Sequence, residues 1–168
     1  GERVGDGTGP EWDIAVDPVD GTTLTAKSLP DAVSVLGVSP RGTMFNPGPA
    51  VYMYKLVVPG LVADAIDIDA PLADTLSRIA KATDRSVSDL TVAVLDRPRH
   101  EQLVAEIRQA GARIRFLLDG DVAGAIMAVS PGTGADLLVG VGGTPEGVLA
   151  ACALRRPGGE LNGRLTAR

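Results

Sequence analysis

The sequence predicts an α/β fold with a mostly parallel β-sheet and helices on its faces. From residue 69 onward, short apolar runs alternate with segments whose apolar residues recur at helical spacing, and strands that alternate with helices usually pair in parallel. The 168 residues, 45% hydrophobic and 22% charged, have the length and composition of one globular domain. We expect a single, partial domain over residues 1–168, entered through a loop at residues 1–11.

Three strands are predicted in the first part of the chain. WDIAV at residues 12–16 is apolar and ends at Asp17-Pro18, where proline cannot donate a ladder hydrogen bond. AVSVLGV at residues 32–38 ends at a turn signal, and VYMYKLVV at residues 51–58 follows a stretch rich in proline and glycine.

The pattern changes period near residue 69. Leu72, Leu76, Ile79 and Ala80 form one apolar stripe after Pro71, which predicts a helix with Asp69 or Ala70 at its cap. The remaining elements are predicted as strands at residues 90–96, 112–118, 136–141 and 159–167, and helices at 100–110, 122–129 and 145–155.

Composition excludes several classes of protein. The 16 basic and 21 acidic residues leave a net charge of −5 without a basic block, which argues against duplex nucleic acid as a partner. No apolar run reaches the ~18 residues of a membrane span. Cys152 and His100 are the only residues of their types, which excludes an internal disulfide framework and argues against a Cys/His zinc site. We expect a cytosolic protein, and the opening at Gly1 suggests a fragment.

Charged and glycine-rich segments follow three of the predicted strands. They are residues 97–100 (RPRH), 119–121 (DGD) and 142–146 (GGTPE). In an open parallel sheet these segments share the carboxyl edge, where ligands bind. Arginine forks and helix N-termini suit phosphate, and carboxylates suit sugar hydroxyls or a divalent metal. The arrangement predicts a site for a phosphorylated polyol.

Each segment alone also has a structural interpretation. DGD can be a turn with a helix cap, the arginines can be solvated surface charges, and GGTPE can be a turn followed by an N-capping threonine. His100 is interpreted as a helix-start residue near the arginines, and Cys152 as a buried small hydrophobic residue.

The segment DPVDGTT, which follows the first strand, is more specific. Asp17 and Asp20 are three residues apart across a proline-stiffened turn, and two close carboxylates repel unless a cation lies between them. Gly21 allows close approach of a ligand, and Thr22 offers a hydroxyl. The alternative is a capped Asx-type turn, which needs only one of the two acids.

This segment resembles the metal-binding signature of the lithium-sensitive, metal-dependent phosphatases, which include inositol monophosphatases and fructose-1,6-bisphosphatases. Further segments together resemble class II fructose-1,6-bisphosphatase along essentially the whole chain. They are DPVDGTTLTAK, VYMYKLVV, LDRPRH, GARIRFLLDGDVAGAIMA, GVGGTPEGVLAACAL and GELNGRL. The resemblance implies a layered, sugar-phosphatase-like fold, truncated here because family members extend further at both ends.

The resemblance also implies roles for individual residues. Asp17, Asp20 and Glu146 match ligands of Mg²⁺ or Mn²⁺, and Thr22 matches the residue that orients the attacking water, so Thr22, Asp17 and Asp20 are the catalytic candidates. The substrate-contacting positions are Asp20, Gly21, Thr22, Tyr52, Arg97, Pro98, Arg99, Asp119, Gly120, Asp121 and Gly143. The implied reaction is hydrolysis of the 1-phosphate of fructose 1,6-bisphosphate to fructose 6-phosphate, a step of gluconeogenesis, by an enzyme that is a homo-oligomer at full length.

Two alternatives stay open. A truncated chain could bind sugar phosphate without catalysis, because the family's upstream acids and C-terminal sheet segment are missing. The chemistry could also act on sedoheptulose bisphosphate or inositol phosphate, although the pair Arg97 and Arg99 favours a ligand with two phosphates.

Overall fold

The computed structural model describes residues 2–166 and confirms the α/β class. The helices are Thr22–Ala26 (α1), Leu72–Ala82 (α2), Glu101–Ala110 (α3), Asp121–Val129 (α4) and Thr144–Leu154 (α5). The strands are Trp12–Asp20 (β1), Val33–Pro40 (β2), Tyr52–Pro59 (β3), Thr91–Leu95 (β4), Arg113–Leu117 (β5), Leu137–Gly143 (β6) and Gly159–Thr166 (β7). Residues 2–11 form neither helix nor strand. Residue 167 of the last predicted strand lies outside the described residues.

The main sheet is mixed, with strand order β5-β4-β6-β3-β7. Parallel pairing holds for β5, β4 and β6, the strands that the alternating pattern links. The expectation of a mostly parallel sheet is corrected at β3, which pairs antiparallel with both β6 and β7. These pairings join segments distant in the chain, so local alternation of strand and helix does not set their direction.

Two apolar cores lie on opposite faces of this sheet. Successive side chains of β3 point to opposite faces: Leu56 and Val58 join the core formed with α2 and α3, whereas Val57 joins the core formed with α4 and α5. The predicted stripe of α2 is buried, with Leu76 and Ile79 essentially inaccessible. Full burial of such a side chain contributes ~1.5–3 kcal/mol.

Helix boundaries follow the sequence signals closely. Pro71 itself is the N-cap of α2, one position after Ala70 and two after Asp69, the residues expected there. Gly111 has a φ of 89° and ends α3, as glycine at this position does in many helices. Short 3₁₀ helices at Gly60–Ala65, Val87–Asp89 and Pro98–His100 were not predicted.

Strand β1 continues further than predicted. It runs through Asp17-Pro18 to Asp20 and pairs antiparallel with β2, with a register shift between Asp17 and Asp20. The prediction that the strand stops at Asp17-Pro18 was therefore wrong. An irregular position in a two-stranded sheet tolerates a proline without an N–H, and the shift redirects the end of β1.

The β1–β2 sheet packs on α5 through one face. Gly37 lies against Leu149 and Cys152, and Cys152 is half-buried with a free thiol, partly matching its predicted burial. The opposite face is apolar and exposed, and carries Trp12, Ile14, Val16, Leu36 and Val38. No helix within residues 2–166 is long and apolar enough to cross a membrane.

Candidate active site

The predicted site residues converge on one cleft of about 320 Å³. The cleft is lined by residues from four segments. They are residues 17–22, which include the register shift at the end of β1, 95–99 at the carboxyl end of β4, 119–121 after β5, and 142–146 at the carboxyl end of β6. All predicted site residues line it except Tyr52 and Pro98. The three segments at the carboxyl edge therefore meet the DPVDGTT segment, although these are distant in the sequence.

Asp20 joins β1 to helix α4. Its Oδ2 accepts hydrogen bonds from the backbone N–H of Val122 at 3.1 Å and of Ala123 at 3.3 Å. Gly120 has a φ of 83°, a conformation that favours glycine, and a Cβ there would lie 3.5 Å from the Asp20 carboxylate. The backbone before α4 thus fits closely around this acid.

The charged form of Asp20 is disfavoured. Burial raises the pKa of its carboxyl from the ordinary 3.8 to about 6. The hydrogen bonds from Ala123 and Val122 oppose this rise, whereas the nearby charges of Asp121 and Asp17 add to it. A cation in the cleft would stabilise the carboxylate, because opposite charge favours ionisation.

Asp119 is held by two partners. Its Oδ2 accepts a hydrogen bond from the backbone N–H of Thr23 at 2.8 Å, and its Oδ1 accepts one from Arg97 Nη2 at 2.8 Å. Partial burial acts to raise the pKa of Asp119, but the hydrogen bonds from Thr23 and the charge of Arg97 outweigh it, and the pKa is lowered. Arg97 also donates from Nη1 to the carbonyl of Leu118 at 2.6 Å, so both side chains are fixed in place.

Arg99 lies at the cleft in a defined orientation. Its Nε and Nη2 both donate to the carbonyl of Val141, at 3.0 and 2.8 Å. Its guanidinium also lies 5.7 Å from the centre of the Tyr52 ring, within cation–π range. Tyr52 therefore contacts the site through Arg99. Pro98 begins a 3₁₀ turn that contains Arg99 and has Arg97 as its N-cap.

Lys55 and Asp121 form a buried ion pair beside the cleft. Lys55 projects from the middle of β3, and a Cβ at Gly142 would collide with the carboxylate of Asp121. The sequence analysis assigned Asp121 to the site but not Lys55. The signal that could have revealed Lys55 is a lysine inside the apolar run VYMYKLVV.

Glu146 lies in the first turn of α5. Its Oε2 is buried and has no hydrogen-bond partner among the described residues. The side chain folds over Gly143, where any Cβ would collide with its carboxylate. A buried carboxylate oxygen without a partner is costly unless another group satisfies it.

Over residues 1–168 the sequence matches the family described as bacterial fructose-1,6-bisphosphatase, glpX-encoded. The chain belongs to this family. It is 45% identical over all 168 residues to fructose-1,6-bisphosphatase 1 class 2 of Escherichia coli strain K12. It is equally similar to fructose-1,6-bisphosphatase class 2 of Escherichia coli O6:H1 and of Shigella flexneri. The chain spans about half (50%) the length of these curated relatives.

The resemblance to bacterial fructose-1,6-bisphosphatases raises the question of whether the cleft suits a divalent metal. Within residues 2–166, no group of three or more His, Cys, Asp or Glu side chains is arranged to hold a metal ion. The donor chemistry nevertheless fits, because Asp17, Asp20 and Glu146 line one cleft and offer the oxygen ligands that Mg²⁺ prefers. The unpartnered Oε2 of Glu146 is the specific feature that a cation would satisfy.

Gly21 and Thr22 lie at the junction of β1 and α1. Gly21 has a φ of 94° and is buried, and Thr22 is exposed to the cleft at the start of α1. The sequence raised the possibility of a helix here, and the structure shows one of five residues. The tight turn brings Thr22 to the same cleft as the acids.

Proposed function

We propose that this chain provides the substrate site of a metal-dependent phosphatase that hydrolyses the 1-phosphate of fructose 1,6-bisphosphate to fructose 6-phosphate. The observation that carries the proposal is the convergence of Asp17, Asp20 and Glu146 with Arg97 and Arg99 around one cleft. The class 2 fructose-1,6-bisphosphatases to which the chain is similar support the choice of substrate.

The acids form the reactive side of the proposed site. Asp17, Asp20 and Glu146 would hold Mg²⁺ or Mn²⁺, which polarises a phosphoryl oxygen and lowers the pKa of a bound water. Thr22 is exposed in the cleft next to Asp20 and would orient the attacking water in line with the leaving oxygen. Asp20 would be ionised when the site is loaded, since the cation offsets the effect of burial.

The arginines form the binding side. Arg99 keeps two of its donor groups on Val141 and presents the rest of its fork to the phosphate that stays on the product. Arg97 is already fixed by Asp119, so little side-chain entropy is lost when it binds the ligand. Asp121 would accept hydrogen bonds from sugar hydroxyls, with Asp119 orienting Arg97 beside it.

A second function is a sugar-phosphate-binding unit without catalysis. It is favoured by the chain's coverage of about half (50%) of its relatives' length and by the absence of a complete metal-ligand group within residues 2–166. Sedoheptulose bisphosphate and inositol phosphate remain alternative substrates, and the experiment below compares them with fructose 1,6-bisphosphate. A cytosolic location and a homo-oligomeric full-length enzyme remain predictions, to be checked by fractionation and light scattering.

Calorimetric titration and a phosphate-release assay, each with and without Mg²⁺, separate these functions. Fructose 1,6-bisphosphate, sedoheptulose bisphosphate and inositol phosphate are compared as ligands. Binding with Mg²⁺-dependent release supports the phosphatase, binding without release supports the binding unit, and no binding rejects both. Arg99→Ala should mainly weaken binding or raise KM, and Arg78→Ala on the exposed surface of α2 is the matched control.

A further inference from the structure

His100 lies where two strands of the sheet separate. Strand β4 pairs with β5 as far as Leu95↔Leu117. Within the described residues, however, β4 pairs with β6 only at Val92↔Leu137 and Ala93↔Leu138. Beyond Ala93 the carboxyl ends of β4 and β6 are no longer joined by a ladder, and this gap adjoins the cleft.

The imidazole of His100 bridges this gap. Its Nδ1 lies 2.8 Å from the carbonyl oxygen of Leu95 on β4, and the backbone N–H of Val141 on β6 donates to its Nε2 at 2.8 Å. The carbonyl requires a donor and the N–H requires an acceptor, so these partners specify the neutral ring with its proton on Nδ1. The ring is 2% exposed, and burial lowers its pKa, which keeps the ring neutral.

Gly140 makes the close approach of this ring possible. Its φ of 143° lies in the region that favours glycine, and a Cβ at this position would lie 2.9 Å from His100 Cε1. A larger residue would have to displace the imidazole. The position of the His100 ring therefore depends on a glycine at position 140.

Val141 links the bridge to the ligand-binding groups. Its N–H donates to His100 and its carbonyl accepts from Arg99. Two consecutive residues of one turn therefore bind both backbone groups of Val141. Val141 leads directly into Gly142, Gly143 and the start of α5, which carries Glu146. The bridge thus lies between the arginine side and the acidic side of the cleft.

We propose that His100 is a positioning residue whose neutral imidazole fixes the spacing between the Arg97–Arg99 turn and the Gly143–Glu146 segment. It does not itself contact the ligand. This inference rests on the proposed function, because the spacing matters for a ligand that reaches both sides, such as a sugar bisphosphate. It predicts that inorganic phosphate, which reaches only one side, responds less to changes at His100.

The two ring contacts can be removed separately. His100→Gln places a carbonyl oxygen near the position of Nε2 and can still accept from Val141, whereas His100→Asn places an amide N–H near Nδ1 and can still donate to Leu95. Each variant loses one buried hydrogen bond, so urea unfolding should show similar losses of stability. His100→Asn loses the hydrogen bond from Val141, which links the two sides of the cleft. We therefore expect this variant to bind fructose 1,6-bisphosphate about tenfold more weakly. His100→Gln should stay within about threefold of the wild type, and phosphate affinity should change less in both.

A measurement on the wild type tests the bridge without any variant. His100 is the only histidine, so in tag-free protein its ring nitrogens need no assignment in a long-range ¹H–¹⁵N spectrum. We expect a neutral ring protonated at Nδ1. A ring protonated at Nε2, or a charged ring at pH 7, would overturn the proposal.

The binding data separate the two proposals. If fructose 1,6-bisphosphate binds the wild type and both variants equally, or if the losses of affinity simply follow the losses of stability, the positioning role of His100 is rejected alone. If the wild type binds no sugar bisphosphate, the proposed function is rejected and the positioning role with it. Arg78→Ala serves again as the control and should change neither affinity nor stability appreciably.

Discussion

The Oδ2 atom of Asp20 lies 3.1 Å from the backbone nitrogen of Val122, 102 residues further along the chain. This hydrogen bond ties the end of β1 to the first turn of α4, and so joins the DPVDGTT segment to the carboxyl edge of the main sheet. It also helps to stabilise a buried carboxylate that lies near the charges of Asp121 and Asp17. The first turn of a helix offers free N–H groups that stabilise a carboxylate, although here burial still outweighs them.

Asp20→Asn is expected to stabilise the metal-free protein at pH 7. The folded pKa of about 6 lies above the ordinary 3.8, so the folded state binds the proton more tightly. The stability of the wild type therefore falls as pH rises through this window. Asparagine keeps an acceptor for Val122 without the charge, and the expected gain in unfolding free energy at pH 7 is about 1–3 kcal/mol.

Urea unfolding in the presence of a chelator, from pH 4 to pH 8, checks this expectation. The difference between Asp20→Asn and wild type should grow between pH 4 and pH 6 and then level off. If Asp20→Asn is less stable than the wild type at pH 7, burial does not disfavour the charged form of Asp20 as proposed.

The sequence predicted which segments contribute to the site better than it predicted the contacts between their side chains. Periodicity and the carboxyl-edge rule grouped the three polar segments at the strand ends, whereas only the resemblance to a family placed Asp17 and Asp20 at the same site. The bond from Asp20 to α4 and the ion pair of Lys55 with Asp121 depend on pairings across 102 and 66 residues. Local patterns do not specify such partners, nor the antiparallel direction of β3.

Mg²⁺ should raise the melting temperature of the wild type through Glu146. Its Oε2 is buried without a partner among the described residues, and a ligand that binds only the folded state stabilises it by ~2.7 kcal/mol at a hundred times its Kd. Glu146→Gln should lose most of this Mg²⁺-dependent shift in differential scanning calorimetry. Glu106→Gln on the exposed surface of α3 is the control, and equal shifts in the two variants would exclude Glu146 as a ligand.

Lys55→Met should strongly destabilise the fold. Lys55 is 2% exposed and its partner Asp121 is 7% exposed, so the substitution leaves a buried carboxylate unpaired at an expected cost of ~3–5 kcal/mol. The double variant Lys55→Met/Asp121→Asn removes both charges and should recover most of the loss. Guanidinium unfolding measures all of these variants. A double variant as unstable as the sum of the single variants would mean that the two side chains act independently.

Arg97 and Asp119 should behave as one unit in binding. Asp119 holds Arg97 with one oxygen and the first turn of α1 with the other, so Asp119→Ala releases the guanidinium and uncaps the helix, at a cost of about 1 kcal/mol in stability. Arg97→Ala removes the same guanidinium directly. Side chains in one hydrogen-bonded network couple by about 0.5–3 kcal/mol, and so the double variant should lose little more affinity than Arg97→Ala alone.

Calorimetric titration of the wild type, the two single variants and the double variant with fructose 1,6-bisphosphate measures this coupling. Strictly additive losses would show that Asp119 contacts the ligand independently of Arg97, as a direct acceptor for a sugar hydroxyl would.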